Sequence, residues 1–225
     1  MPPLSEVQRA RLGCGGVDAW LEDTRTSYDT VADNYAEFID GSIEREPYLG
    51  GALALFATLV AGGGNGPVAD VGCGPGHVTA HLRGLGVDAS GIDLSPAMVE
   101  LARRTYPDAR FDTGDMTDLT LPDASLAGLV AFWSTIHVPD EHMPAVCAGF
   151  HRVLRPGGVL LVGFHAGEGT RLKTEGYGGL PMRVYVHRRS PAAVSAWLRD
   201  AGLAVEAELL LDAGRSALLF ARRPA

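Results

Sequence analysis

Cysteine is scarce in this chain. Cys14, Cys73 and Cys147 are far apart among 225 residues. So odd and dispersed a set excludes a disulfide framework and points to reduced thiols in a cytoplasmic setting. Long apolar runs are also missing, and nothing approaches the roughly twenty residues of a bilayer-spanning helix. The start, Met1-Pro-Pro-Leu-Ser-Glu6, lacks the basic end and apolar middle of a signal peptide. Positive charge is in deficit: 19 Lys and Arg against 27 Asp and Glu leave a net charge of −8. Such a surface neutralises phosphates poorly, which argues against nucleic acid as a partner. The His, Cys and carboxylate residues show no metal-ligand spacing, so no metal is expected. What is present suffices for a core: 46% of residues are hydrophobic, and the length fits one α/β domain.

Glycine is concentrated where it matters. In Val68-Ala-Asp-Val-Gly-Cys-Gly-Pro-Gly-His77, a short apolar stretch runs into Gly72, Gly74 and Gly76 on alternate positions. This pattern predicts a buried strand turning sharply into a helix. Glycines let the backbone approach a ligand closely, and the start of the following helix offers unpaired N–H groups. The dinucleotide fingerprint G-x-G-x-x-G would require a glycine at position 77, where His77 stands. Asp70, just before the loop, repels a pyrophosphate and suits a cationic group such as an amino-acid ammonium.

Val68 to Gly76 closely resembles the first motif, (V/L)-x-D-x-G-x-G-x-G, of the class I S-adenosylmethionine-dependent methyltransferases. The resemblance implies that the loop wraps the methionine part of S-adenosylmethionine, with Asp70, Gly72, Cys73, Gly74, Gly76 and His77 at the cofactor. Asp93 ends a second predicted strand about twenty residues further on, where an acid accepts from ribose hydroxyls. The matching acid of the family does so, and Leu94 and Met98 lie next to it. Asp115 matches the acid set against the adenine amine. It is flanked by Gly114 and by Met116, which offers a backbone N–H to the ring. Ser27 to Tyr35 resembles the Y-D-x-x-A-x-x-Y opening helix of small-molecule methyltransferases, which closes over the cofactor. Tyr28 and Tyr35 are its expected contacts. Arg155-Pro-Gly-Gly158 also fits the family pattern.

Apolar spacing predicts helices over 17–40, 46–60, 76–84, 96–105, 141–154 and 191–202. Strands are predicted over 68–71, 87–92, 109–112, 126–132, 159–164, 204–211 and 217–221, with a short one near 182–186. Ser95 as N-cap and Pro96 at the first helical position open the fourth helix. The alternation implies an α/β fold: a three-layer, doubly wound, mostly parallel sheet. From the resemblance it has seven strands, the last pair an antiparallel hairpin. Residues 1–66 are expected to form an N-terminal arm and helical lid, and 67–225 the cofactor-binding core, as one structural domain overall. Residues 1–16 read as a loose arm.

The resemblance implies transfer of a methyl group to a small metabolite or short peptide, at N, O or C, by in-line displacement. The main task of such a site is to align a nucleophile about 3–3.5 Å from the methyl carbon. A general base helps a hydroxyl acceptor only. Candidates leave the sheet at strand ends. His137 follows Phe132 and Trp133, which would border the methionine part, and His165 follows the next strand. Both are candidate proton acceptors, with Tyr35 beside them. Tyr177, Arg183 and Tyr185, in the 165–190 insertion, are candidate acceptor contacts. Competing readings are a nicotinamide-dependent oxidoreductase, disfavoured by the loop spacing, and a non-catalytic cofactor-binding protein. No N-P-P-Y-type motif of nucleic-acid or protein methyltransferases follows the fourth strand, where Phe132-Trp-Ser-Thr135 stands. A membrane partner is not expected. Monomer and homodimer both remain open.

Overall fold

The structure is a computed structural model describing residues 18–225. The arm expected over residues 1–16, including Cys14, lies outside the described residues. Among the described residues three helices come first: α1 (Asp18–Ile39), α2 (Ser42–Arg45) and α3 (Pro47–Gly62). The core follows as β1 (Val68–Val71), α4 (His77–Gly84), β2 (Ala89–Asp93), α5 (Pro96–Thr105), β3 (Arg110–Thr113) and β4 (Leu126–Phe132). It continues with α6 (Met143–Val153), β5 (Leu154–His165), β6 (Thr170–Glu175), β7 (Pro181–His187), α7 (Pro191–Asp200), β8 (Ala204–Leu211) and β9 (Ser216–Arg222).

Seven strands form one sheet in the order β3-β2-β1-β4-β5-β9-β8. Neighbours from β3 to β5 pair in parallel, while β9 runs antiparallel to both β5 and β8. The strand order reverses between β1 and β4, which opens a crevice at their carboxyl ends, where ligands of such sheets collect. β1 is buried at all four positions, as expected for a central parallel strand covered on both faces. Side chains of β5 alternate between two cores. Leu160 and Val162 join Phe150, Val146 and Leu198 on the α6–α7 face. Val159 and Leu161 join Phe56, Leu53 and Leu82 on the α3–α4 face.

Local signals set the helix starts. The Ser95 side chain accepts from the Met98 N–H at 3.1 Å, and that of Ser190 from the Ala193 N–H at 3.2 Å, each followed by proline. Such caps contribute about 1 kcal/mol each. Three expectations need correction. The helix predicted over 141–154 begins at Met143, after a 3-10 turn over Asp140–His142, with Pro144 in its first turn. The strand predicted over 159–164 extends back to Leu154 through an irregularity in its pairing with β4. The 165–190 insertion, read as a loop with one short strand, is a hairpin of β6 and β7. β6 is polar and largely exposed, so it carries no apolar alternation to read. β7 packs its buried Met182 and Val184 on Val31 of α1, so helix and hairpin together roof the sheet crevice.

Candidate active site

The glycine loop links β1 to α4 with Gly72, Gly74 and Gly76 all at positive φ, +75°, +55° and +88°. Their roles differ. A Cβ on Gly72 would stand 2.2 Å from the Ser134 Cβ, and one on Gly76 2.7 Å from the Phe111 ring. Those two are held to glycine by the protein's own packing rather than by a ligand. At Gly74 there is room, with the Tyr35 ring 3.5 Å from where its Cβ would be.

Two buried carboxylates flank this loop. Asp93 Oδ2 accepts from the Gly74 N–H at 2.7 Å, and Oδ1 from the Ser95 N–H at 2.8 Å. Burial nevertheless pushes its carboxyl up to about 6. Asp70, on β1, is 1% exposed. Its Oδ2 accepts from the Thr79 hydroxyl at 2.7 Å, while its Oδ1 is buried with no partner. Burial lifts the Asp70 carboxyl further, to about 7. A buried oxygen without a donor is costly, and a cationic group would meet that need. Asp115 differs, since both its oxygens bind Thr117, one its N–H at 2.8 Å and the other its hydroxyl at 2.6 Å. It bounds the far end of the crevice with Gly114 and Met116.

α1 closes the crevice from above. Asp29 Oδ1 accepts from the Ser95 hydroxyl at 2.6 Å and from the Ala97 N–H at 3.1 Å, so a carboxylate sits at the start of α5. Tyr28 lies 2.7 Å from His137 Nε2, and His137 Nδ1 lies 2.8 Å from the Tyr185 carbonyl oxygen. A carbonyl only accepts, so Nδ1 carries the proton and the Tyr28 hydroxyl donates to Nε2. Burial drives His137 down to about 4 and Tyr28 well above the ordinary tyrosine range. The pair therefore stays neutral. Arg189, itself 4% exposed, fixes this turn. It donates to the carbonyls of Thr135, at 2.9 Å, and Val138, and its Nε meets Asp140 at 2.8 Å. Trp133 holds φ at +51°, rare for a bulky residue. Gly163 makes room for its ring, because a Cβ there would stand 2.9 Å from it.

The structure gathers Tyr28, Tyr35, Gly72, Gly74, Asp93, Leu94, Met98, Gly114, Asp115, Met116, Phe132, Trp133 and His137 around one crevice. Other candidates lie apart from it. Cys73 is buried with Val99, Ala102 and Phe111 beneath the loop, and Gly76 packs in the same direction. His77 leaves its Nδ1 buried without a partner and lines the cavity that adjoins the crevice. Burial lowers it to about 4. The Arg183 side chain pairs with Asp23 on α1 at 2.9 Å, on an exposed face. Tyr185 is 40% exposed and reaches the site only through its carbonyl. Tyr177, His165 and Asp70 line an adjoining cavity. Asp29, Ser134 and Arg189 went unread in the sequence. Asp29 sits inside the matched Y-D pair, so its position alone was legible. No group of three His, Cys, Asp or Glu among the described residues is placed to hold a metal ion, and no helix among them is long and apolar enough to cross a membrane.

Residues 68–158 match the family described as Methyltransferase domain. That match contains both acids and the whole glycine loop. Over those residues the chain is similar to a methyltransferase domain. Malonyl-[acyl-carrier protein] O-methyltransferase of Serratia marcescens is 35% identical over 92 residues, which span 41% of this chain and 35% of that protein. The chain thus matches about a third of that relative's length. Among solved structures, Streptomyces venezuelae DesVI is 26% identical, with a TM-score of 0.61 over 86% of this chain and 98% of that one. A SAM-dependent methyltransferase from Methanosarcina mazei shares the fold at 18% identity, with a TM-score of 0.63 over 71% of this chain and 93% of that one. The chain therefore has the seven-stranded, mostly parallel fold expected of it, with the crevice at the β1–β4 switch.

Proposed function

We propose that this protein transfers the methyl group of S-adenosylmethionine to a small acceptor by in-line displacement. The observation that carries this reading is Asp70 Oδ1, a buried carboxylate oxygen with no partner beside a glycine loop. It fits the cofactor's ammonium and has no use for a pyrophosphate. Asp93, each oxygen of which takes one backbone N–H, keeps lone pairs for ribose hydroxyls. Leu94, Met98, Gly114, Asp115 and Met116 enclose the adenine end. Gly72 and Gly74 line the methionine part, with Phe132 and Trp133 beside the sulfur. When bound, the cofactor supplies an electrophilic methyl carbon on a cationic sulfur. The protein's own tasks are to hold an acceptor in line with it and to exclude water. Tyr28 and Tyr35 do the latter from α1, so residues 18–66 act as a cover on the core over 67–225.

The carrier-bound acid named for the Serratia relative makes an oxygen nucleophile a reasonable precedent. A small-molecule or short-peptide acceptor and a reducing, cytoplasmic compartment complete the reading; Cys73 and Cys147 are free thiols. Titration calorimetry with S-adenosylhomocysteine tests it. Saturable binding at micromolar concentrations is expected, and the absence of heat at high micromolar concentrations would remove the assignment.

A further inference from the structure

Beside the cofactor crevice lies a second cavity that shares its Gly72–Gly74 and Phe132–Trp133 wall and extends to His165 and Tyr177. Six aromatic side chains, Tyr28, Tyr35, Phe38, Phe132, Trp133 and Tyr177, line it. Their rings touch in series. Centroids are 5.8 Å apart for Tyr28–Tyr35, 4.8 Å for Tyr35–Tyr177, 5.0 Å for Phe38–Tyr177 and 4.9 Å for Phe132–Trp133. No Lys or Arg is among the lining residues. The Lys173 ammonium is engaged over the Tyr177 ring, 3.8 Å from its centre. A carboxylate or phosphate acceptor would be desolvated against a wall without a cation, the nearby Arg171 and Arg188 acting on His165 from outside that wall. The one acid in the wall is Asp70, which the reading above gives to the cofactor's ammonium, so an aliphatic ammonium would lack a carboxylate of its own. A flat, neutral ring suits edge-to-face walls of this kind.

The two candidate histidines divide sharply. Both nitrogens of His137 are committed, to Tyr28 and to the Tyr185 carbonyl. His165, at the end of β5, lines the cavity with its ring centroid 6.4 Å from that of Trp133. Neither of its ring nitrogens has a hydrogen-bond partner among the described residues. Arg171 of β6, Arg188 after β7 and His137 face it, and Arg215 on the β9 side is bound to Asp212. Burial and the two nearby arginines hold His165 below the ordinary histidine value. It is therefore neutral at pH 7, with a lone pair to offer.

We propose that the acceptor is a phenol, an aromatic hydroxyl lying in this ring-lined cavity, and that His165 takes its proton. The phenolic oxygen forms the new bond to the methyl carbon. The carbon–sulfur bond breaks with its electron pair passing to sulfur, giving a neutral thioether, and the hydroxyl proton passes to His165 as an imidazolium. This proposal rests on the cofactor assignment above.

The test has a binding arm and a rate arm. S-adenosylhomocysteine is titrated first, and then simple phenols, aliphatic amines and carboxylates are titrated into that complex. Phenol binding and phenol methylation are expected. If S-adenosylhomocysteine binds but no phenol binds or is methylated, or only amines or carboxylates are, the acceptor proposal falls. If S-adenosylhomocysteine itself fails to bind, it is the cofactor reading that falls. In the rate arm, His165→Asn lowers kcat for an ordinary phenol about 100-fold and changes KM by less than about threefold. 2,4-Dinitrophenol is already ionised well below neutral pH and needs no base, so its loss shrinks to less than about fivefold. Equal losses for both phenols would overturn the role of His165. Should the variant fail to fold, the wild-type pH–rate profile decides: the ordinary phenol's rate rises through the histidine's titration while the ionised phenol's stays flat, and identical profiles refute the proposal.

Discussion

Asp70→Asn separates two effects that substitutions of binding carboxylates usually mix. Asp70 is 1% exposed, and only its Oδ2 has a partner. Burial raises its carboxyl from 3.8 to about 7. A carboxyl raised on folding binds its proton more tightly in the folded state, so its contribution to stability is complete below the unfolded value. That contribution is lost as pH rises through the folded one. The loss begins above about pH 4 and is complete a little above pH 7, and it amounts to about 4 kcal/mol. Asparagine keeps the shape and an oxygen for Thr79 but never ionises. The cofactor-free variant should therefore be about 2–4 kcal/mol more stable than the wild type at pH 8 and differ little at pH 4.5. Its affinity for S-adenosylhomocysteine should fall by about 1–3 kcal/mol, the value of a hydrogen bond to a charged group. Urea unfolding at the two pH values, with calorimetry at pH 8, measures both effects. A variant less stable than the wild type at pH 8, or one that binds unchanged, would refute the assignment of a cation-binding role to Asp70.

Two further predictions follow from the same geometry. Asp93→Ala removes the acceptor of the Gly74 and Ser95 N–H groups and should weaken S-adenosylhomocysteine binding by about 1–3 kcal/mol; unchanged affinity by calorimetry would tell against the ribose assignment. Arg189→Met leaves the Thr135 and Val138 carbonyls without their buried donor. It should lower the unfolding free energy by about 2–4 kcal/mol in a denaturant titration, and a loss under about 0.5 kcal/mol would show that the turn carrying His137 does not depend on the guanidinium.

The parallel core was legible because burial on both faces writes itself into continuous apolar runs. Val68–Val71, Leu126–Phe132 and Val159–Phe164 each read as strands and are strands. Helix starts were legible wherever a side chain caps them, as at Ser95. The acids Asp70, Asp93 and Asp115 were legible through their spacing from the glycines. The hairpin strand Thr170–Glu175 was not, because both its faces are largely wet and its pairing depends on β7 docking on α1. The state of His137 was illegible for a related reason. Its partners lie 109 and 48 residues away in the chain, and no local pattern records which nitrogen is occupied. Gly72 and Gly76 were read as ligand-facing, yet their constraints come from Ser134 and Phe111, which are brought up by β4 and β3.

The seat of α1 joins the cover to the cofactor floor at a single residue. The Ser95 N–H is held by Asp93, while the Ser95 hydroxyl donates to Asp29 of α1 and accepts from the Met98 N–H. Displacing α1 therefore unpairs a carboxylate at the start of α5 and, one residue earlier along the helix, the Tyr28–His137 contact. Each such contact contributes only about 1–2 kcal/mol, more where a charge is involved. The apolar seat sets Val31 against Met182 and Val184, with Tyr28, Tyr35, Tyr177 and Leu180 packed around them. Arg183 of β7 ties α1 further, its backbone N–H donating to the Ser27 hydroxyl and its guanidinium meeting Asp23. Asp93 is oriented independently of α1, because its Gly74 and Ser95 N–H donors belong to the floor. The proposed ribose-binding acid is thus oriented by the floor alone, whereas the aromatic walls that Tyr28 and Tyr35 contribute to the cavity come from α1.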